Sequence, residues 1–182
     1  MSRRLLVAVV AALATALAAP AATPPNDYLL VLGHRAGPYR YLDSFERGKP
    51  RAYAAALTAF GEPSRFRANA NFCRVTWARA GITVGFASAP PGCSQANLRR
   101  AAWYGLSLHG PRWHNRWGIR VGDTAAKVRR FYPRARIERP LGTPWLVLVR
   151  RREAEFDFIL LAVALNRAGR VTSIEVPAGY VY

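Results

Sequence analysis

Residues 73–86 read CRVTWARAGITVGF and contain two short alternating patterns. The first half alternates apolar and polar residues around Val75, the second half alternates around Val84, and Gly81 lies between the two. Successive side chains of a strand point to opposite faces, so each half predicts a strand with one apolar face. The stretch therefore predicts a β-hairpin that lies on a hydrophobic core.

A helical pattern precedes this hairpin. Pro50 suits the first turn of a helix, and Gly61 and Pro63 end the pattern. Between them, apolar residues recur at helical spacing, namely Tyr53, Ala56, Leu57 and Phe60. A helix of this length is marginal alone, so we expect it to pack on the sheet. A third strand is predicted near residues 101–108.

The same order recurs in the second half of the chain. Asp123 and Thr124 are good helix caps, and Pro133 ends the helical pattern that follows them. Strands are predicted over residues 145–149, 156–165 and 171–176. The middle one is apolar on both faces except at Asp157, which is typical of a central strand.

The two halves are related by a nearly constant separation. Matching residues lie 70 to 72 positions apart: Phe60 and Phe131, Pro63 and Pro133, Val75 and Val147, and Phe86 and Phe158. A constant separation favours tandem duplication over chance similarity. The predicted fold class is therefore α+β, with two tandem helix-strand-strand-strand units, antiparallel sheets and helices packed on one face. We place the units at residues 22–110, including an N-terminal extension, and 111–182.

Several motifs carry a resemblance to known proteins. The most specific is GIRVGDT at residues 118–124, and the others are FGEP at 60–63, CRVTW at 73–77, GITVGF at 81–86 and FYP at 131–133. The chain resembles a group of uncharacterised secreted actinobacterial proteins over about residues 37–176. More distantly, it is similar to the tandem-repeat superfamily that contains beta-lactamase inhibitor protein (BLIP) and BamE (SmpA).

That resemblance implies two helix-and-sheet units joined edge to edge. It also implies a broad sheet surface, which commonly binds proteins in that superfamily. The chain departs from BamE because it has no lipid-attachment cysteine. No inhibitor contact residue of BLIP can be matched to a position here, so beta-lactamase inhibition is not carried over.

Residues 1–21 are typical of a secretory signal peptide. Arg3 and Arg4 precede an apolar run, and small residues follow it, with fitting cleavage sites after Ala18 and after Ala21. The run is shorter than the roughly 20 residues that span a bilayer, and no later run is longer. We therefore expect a secreted protein with no transmembrane segment after signal cleavage.

The chain has two cysteines, Cys73 and Cys93. In an oxidising compartment an even pair most simply forms a disulfide. A metal site or a redox pair is the alternative, but no histidine or third thiol lies near them in the sequence. We predict a structural bridge, no metal site and no cofactor.

Residues 103–117 join the two predicted units and contain three tryptophans, two histidines and two arginines. Tryptophan and arginine dominate the binding energy of many interfaces. Trp103 and Trp117 are interpreted as rings that seal the joint between the units. Trp113 is either a core ring or an exposed anchor within a binding surface made of Arg112, Trp113, His114 and Arg116.

The charge of the chain points to anionic partners. Basic residues outnumber acidic ones 27 to 10, for a net charge of +17. Such a charge attracts acidic proteins, anionic cell-envelope polymers and, without sequence selectivity, nucleic acid.

Because no catalytic grouping is found, the leading hypothesis is a secreted, monomeric, non-enzymatic binding protein of the cell envelope or extracellular space. Its partner would be an acidic protein or polymer. The alternative is a small basic secreted nuclease or phosphate-ester hydrolase. That enzyme would use His109 or His114 as general acid or base.

Overall fold

The structure, a computed structural model, describes residues 28–31, 35–41, 52–69, 72–139, 142, 144–154 and 156–177. The signal peptide assigned to residues 1–21 lies outside these ranges. No helix within them is long and apolar enough to cross a membrane.

Fourteen helices and strands are described. In the first half they are β1 (Tyr28–Val31), β2 (Arg35–Ala36), α1 (Ala52–Phe60), β3 (Arg65–Ala68), β4 (Phe72–Trp77), β5 (Ile82–Ala87), α2 (Gln95–Arg100) and β6 (Ala102–Leu108). In the second half they are β7 (Trp113–Asn115), α3 (Ala125–Phe131), β8 (Arg136–Glu138), β9 (Trp145–Glu153), β10 (Phe156–Leu165) and β11 (Val171–Pro177).

Eight of these strands form one antiparallel sheet, in the order β3-β4-β5-β6-β11-β10-β9-β8. The two halves of the chain meet at its centre, where Ile174 of β11 pairs with Leu108 of β6. A smaller sheet has the order β2-β1-β7 and contains one parallel pair, β1 with β7. The α+β class with mostly antiparallel strands is confirmed, and β10 has a neighbour on both sides, as its sequence predicts.

The main hydrophobic core lies on one face of the large sheet. Alternate residues of β4 and β5, such as Val75 and Val84, are fully buried there. The three helices add buried residues to the same cluster: Ala56 from α1, Leu98 from α2 and Val128 from α3. We call the opposite face of the sheet, which carries Arg74, Thr83 and Gly85, the open face.

The segment that contains Tyr39 and Tyr41 covers part of the main core. The sequence patterns did not predict this packing. Tyr39 and Tyr41 are buried. The Tyr41 ring stacks on Trp103 with 4.8 Å between centroids, and the Tyr39 ring meets Phe60 edge-on at 6.0 Å. Trp103 is therefore a core ring.

Residues that lie 72 positions apart do not always have equivalent places in the large sheet, because some of their side chains point to opposite faces. Val75 lies in the main core, whereas Val147 belongs to a small separate cluster with Ile159 and Ala162. The preceding residue, Leu146, faces the main core. A shift of one residue exchanges the two faces of a strand, so equating Val75 with Val147 is wrong. The tandem duplication itself stays a prediction.

The disulfide between Cys73 and Cys93 is confirmed. Its sulfur atoms lie 2.02 Å apart, and the Cα atoms are 5.1 Å apart. Cys73 is fully buried on the core side of β4, and Cys93 lies next to Ser94, the N-cap of α2. The bridge thus ties the start of α2 to β4, the second strand from one edge of the large sheet.

Candidate functional site

Two of the predicted binding residues, Arg112 and Trp113, hold a turn. The turn between β4 and β5 contains three successive carbonyl oxygens, at residues 79–81, that lie outside the paired positions of the two strands. Donors from the joint bind them: Arg112 Nη2 donates to Arg79 O (2.9 Å), Trp113 Nε1 to Ala80 O (2.6 Å) and the His109 amide to Gly81 O (2.7 Å). These contacts satisfy backbone groups that would otherwise lack protein partners.

Trp113 is completely buried, so the reading of this residue as an exposed anchor is wrong. Its ring meets Phe60 edge-on with 6.3 Å between centroids. The loop turns inward because β7 pairs with β1, which places Trp113 opposite Tyr28. His114 is half-buried beside it, with Nδ1 3.0 Å from Asn115 O.

The tryptophan of the joint that reaches solvent is Trp117, which is 45% exposed. Asn115 is buried, and its Oδ1 accepts the amides of Trp117 (2.9 Å) and Ile119 (3.1 Å). These bonds close a tight loop that buries Ile119 and turns Trp117 outward. The interpretation of Trp117 as a ring that seals the joint is therefore wrong.

The two histidines of the joint have no carboxylate partner within the described ranges. His109 is exposed, and its neighbour Ser107 donates to Glu175 instead. No group of three or more His, Cys, Asp or Glu residues that could hold a metal is found in those ranges. The geometry adds no support to the hydrolase alternative, which stays an untested prediction.

A shallow cleft lies in the middle of the open face, where β4, β5, β6 and β11 run side by side. Its volume is about 70 Å³. Gly85 and Gly105 are cross-strand partners that line it, and their missing side chains make the depression. Pockets for small-molecule ligands usually measure about 300–1,000 Å³. The cleft therefore suits one side chain of a larger partner.

Stacked aromatic rings form one wall of the cleft. The centroids of Phe72 and Tyr104 lie 4.8 Å apart, with 25° between the ring planes. Tyr104 is the extra residue of a β-bulge, because the strand register shifts just after Gly85. The bulge places Tyr104 on the open face. The Arg74 guanidinium lies over the Phe72 ring, 5.5 Å from its centroid.

The opposite wall carries Glu175 from β11. Its two carboxylate oxygens accept hydrogen bonds from Ser107 and Ser173, each at 2.5 Å. Trp145 and Pro177 also line this side. Because two hydroxyl groups bind this carboxylate, it is held against the sheet and does not reach toward Arg74.

Three arginines lie beside the aromatic wall, on the open face of β3 and β4. We call Arg65, Arg67 and Arg74 the arginine strip. Arg67 and Arg74 are direct cross-strand partners, and Arg65 pairs with Thr76 on the same face. None of the three takes part in the ion pairs found among the described residues. Like charges directly opposite each other destabilise a sheet, so the strip opposes folding.

The far end of the same sheet is arranged differently. Arg150 of β9 forms ion pairs with Glu138 of β8 and Asp157 of β10. Carboxylates on the two neighbouring strands therefore neutralise the arginine there. At the end of the sheet that adjoins the cleft, the described neighbours of the arginine strip provide no such carboxylate.

Sequence reasoning missed this site because it did not predict β3. The alternation of Arg65, Phe66 and Arg67, between Pro63 and Asn69, is a signal for a short edge strand. Pairing that strand with residues 72–77 would have brought the arginines together. No local signal marks Glu175, which comes from the last strand.

Comparison of the chain with known protein families, with curated proteins and with solved structures finds no match.

Proposed function

We propose that the protein is a secreted, non-enzymatic binding protein of the cell envelope or extracellular space. Its partner is an acidic protein or an anionic polymer, bound on the open face. The observation that carries the proposal is the arginine strip beside the cleft, where Arg67 and Arg74 face each other and neither forms an ion pair with a described carboxylate. An anion placed between them would relieve their repulsion.

Arg74 joins the charged and the aromatic parts of the site. A guanidinium can bind a carboxylate through two parallel hydrogen bonds, and its contact with the Phe72 ring fixes its orientation. The cleft next to it has room for one side chain. The arrangement thus fits a partner that offers an acidic group to Arg74 and a neighbouring side chain to the cleft.

The order of the large sheet supports the predicted tandem duplication. Helices α1 and α3 are each followed by four strands, and the sheet runs outward from the β6–β11 pair to β3 at one edge and β8 at the other. We retain units at residues 22–110 and 111–182, and the relationship to the BLIP and BamE superfamily, as predictions.

Arg67→Glu is expected to raise stability and to weaken binding of an acidic probe. A carboxylate at position 67 would face Arg74 across the strands, and an opposite-charge pair is worth about 0.2–1 kcal/mol relative to a neutral one. The same change removes a cation from the site and repels the probe. Titration calorimetry with a poly-glutamate peptide should show binding at least about ten-fold weaker, since bonds to charged groups contribute about 1.5–3 kcal/mol.

Arg167→Glu is the matched control, because it changes the net charge equally at an exposed turn between β10 and β11. We expect it to weaken peptide binding only slightly and to give no gain in melting temperature. Equal weakening by the two variants would mean that net charge alone holds the peptide. That result would show that the arginine strip is not a specific binding site for the peptide.

A further inference from the structure

A second exposed surface lies at the C-terminal end of α3. Trp117 and Phe131 are 45% and 44% exposed. Their ring centroids lie 6.1 Å apart, and the ring planes are only 21° from parallel. The Arg116 guanidinium lies 4.9 Å from the centroid of the Trp117 ring. We call Arg116, Trp117 and Phe131 the aromatic platform.

Partly buried groups hold the platform in place. Asn115 Oδ1 accepts the Trp117 amide, and Asn115 Nδ2 donates to the Tyr132 hydroxyl at 3.0 Å. Lys127 Nζ donates to Gly118 O at 3.4 Å, which ties the loop to α3. Burial raises the pKa of Tyr132, and the positive charge of Arg116 offsets part of that rise. The rings are thus presented by a fixed scaffold.

The surroundings of the platform are strongly basic. Residues 116–136 contain seven basic residues and one acidic residue, Asp123. The Asp123 carboxylate accepts from Lys127 Nζ (2.9 Å) and from the Arg120 amide (2.8 Å). Three exposed arginines around the end of α3 take no part in the ion pairs found among the described residues: Arg129, Arg130 and Arg134. An anionic ligand would meet these cations and no unpaired carboxylate of this segment.

We infer that the aromatic platform and these arginines bind single-stranded nucleic acid. Exposed rings offer stacking surfaces to unpaired bases, and arginines pair with the phosphates. A duplex hides the faces of its bases within the stack, so rings of this kind favour single strands. An acidic peptide offers no flat ring that could stack on Trp117 and Phe131, so it would leave the platform unused. This surface is separate from the cleft and the arginine strip, and the inference does not rest on the proposed function.

Trp117→Ala is expected to weaken binding of a labelled oligothymidylate by about ten-fold or more, because stacking of a base on an aromatic ring is lost. Fluorescence anisotropy of the labelled strand with the full chain measures this affinity. Trp117→Phe keeps a stacking ring and should retain most of the affinity for the labelled strand. Because Trp117 is 45% exposed, the melting temperature of the Ala variant should stay close to that of the parent.

Phe156→Ala is the matched control, since it removes a 51% exposed aromatic ring that belongs neither to the aromatic platform nor to the cleft. We expect it to leave oligothymidylate binding unchanged, and we expect inorganic polyphosphate of equal charge to compete only weakly. Equal weakening by Trp117→Ala and Phe156→Ala would overturn the inference. Complete competition by polyphosphate would also overturn it, because charge without stacking would then account for the binding.

Discussion

Trp113→Ala is expected to lower the free energy of unfolding by about 3 to 5 kcal/mol. The ring is completely buried, packs against Phe60 and donates a hydrogen bond to Ala80 O. Truncation removes this burial, leaves a cavity and strands a carbonyl group of the β4–β5 turn. Chemical denaturation followed by circular dichroism measures the loss.

Trp117→Ala serves as the control for this prediction, because the residue type and the substitution are the same. Trp117 is 45% exposed, so its removal should cost less than about 1 kcal/mol. Trp113→Phe should fall between the two, since it keeps a ring but loses the hydrogen bond. Equal losses for Trp113→Ala and Trp117→Ala would show that Trp113 is not a core residue.

Removal of the disulfide is expected to lower the free energy of unfolding by about 2 to 5 kcal/mol, the usual loss in a small secreted domain. The bridge closes a loop of 20 residues and tethers α2 beside β4. Cys93→Ser is the cleaner single variant, because Cys73 is fully buried and a hydroxyl there would add a desolvation cost. Denaturation with and without a reductant measures the same loss in the parent chain.

A variant with alanine at both cysteine positions provides the control for reduction. Its stability should not change when a reductant is added, whereas that of the parent should fall. If the reductant leaves the parent unchanged while labelling shows two free thiols, the bridge does not contribute to stability.

Sequence patterns predicted the long elements well, because apolar periodicity reports directly on burial. The hairpin around Gly81, the helix that ends at Phe60 and the central strand β10 all lie where their patterns place them. Short edge strands such as β3 were missed, since only one of their two long sides is paired. The segment that contains Tyr39 and Tyr41 was missed because its burial depends on Trp103 and Phe60, far along the chain.

Composition could not predict that Trp113 is buried and Trp117 is exposed. Both have arginine neighbours in the sequence. Their exposure is decided by Ala80 O, which pairs with Trp113 Nε1, and by Asn115 Oδ1, which pairs with the Trp117 amide. These are specific three-dimensional contacts that leave no periodic signal.

The candidate site could not be predicted from the sequence for the same reason, because it too depends on contacts between distant residues. Phe72, Tyr104 and Glu175 come from three different strands and meet only when the sheet has formed. Composition predicted a basic surface but not its place. The place depends on which arginines have carboxylate neighbours, and that contrast between Arg150 and Arg74 is visible only in the folded sheet.

An NMR titration of the ¹⁵N-labelled chain with a poly-glutamate peptide would show whether the peptide binds on the open face. The two glycines of the cleft, Gly85 and Gly105, supply amide signals at its floor. We expect the largest shifts at these two glycines and at Arg74, and little change along α3. Shifts centred on Arg129 and Arg130, or small shifts spread over every basic segment, would contradict the claim that the open face is the binding surface.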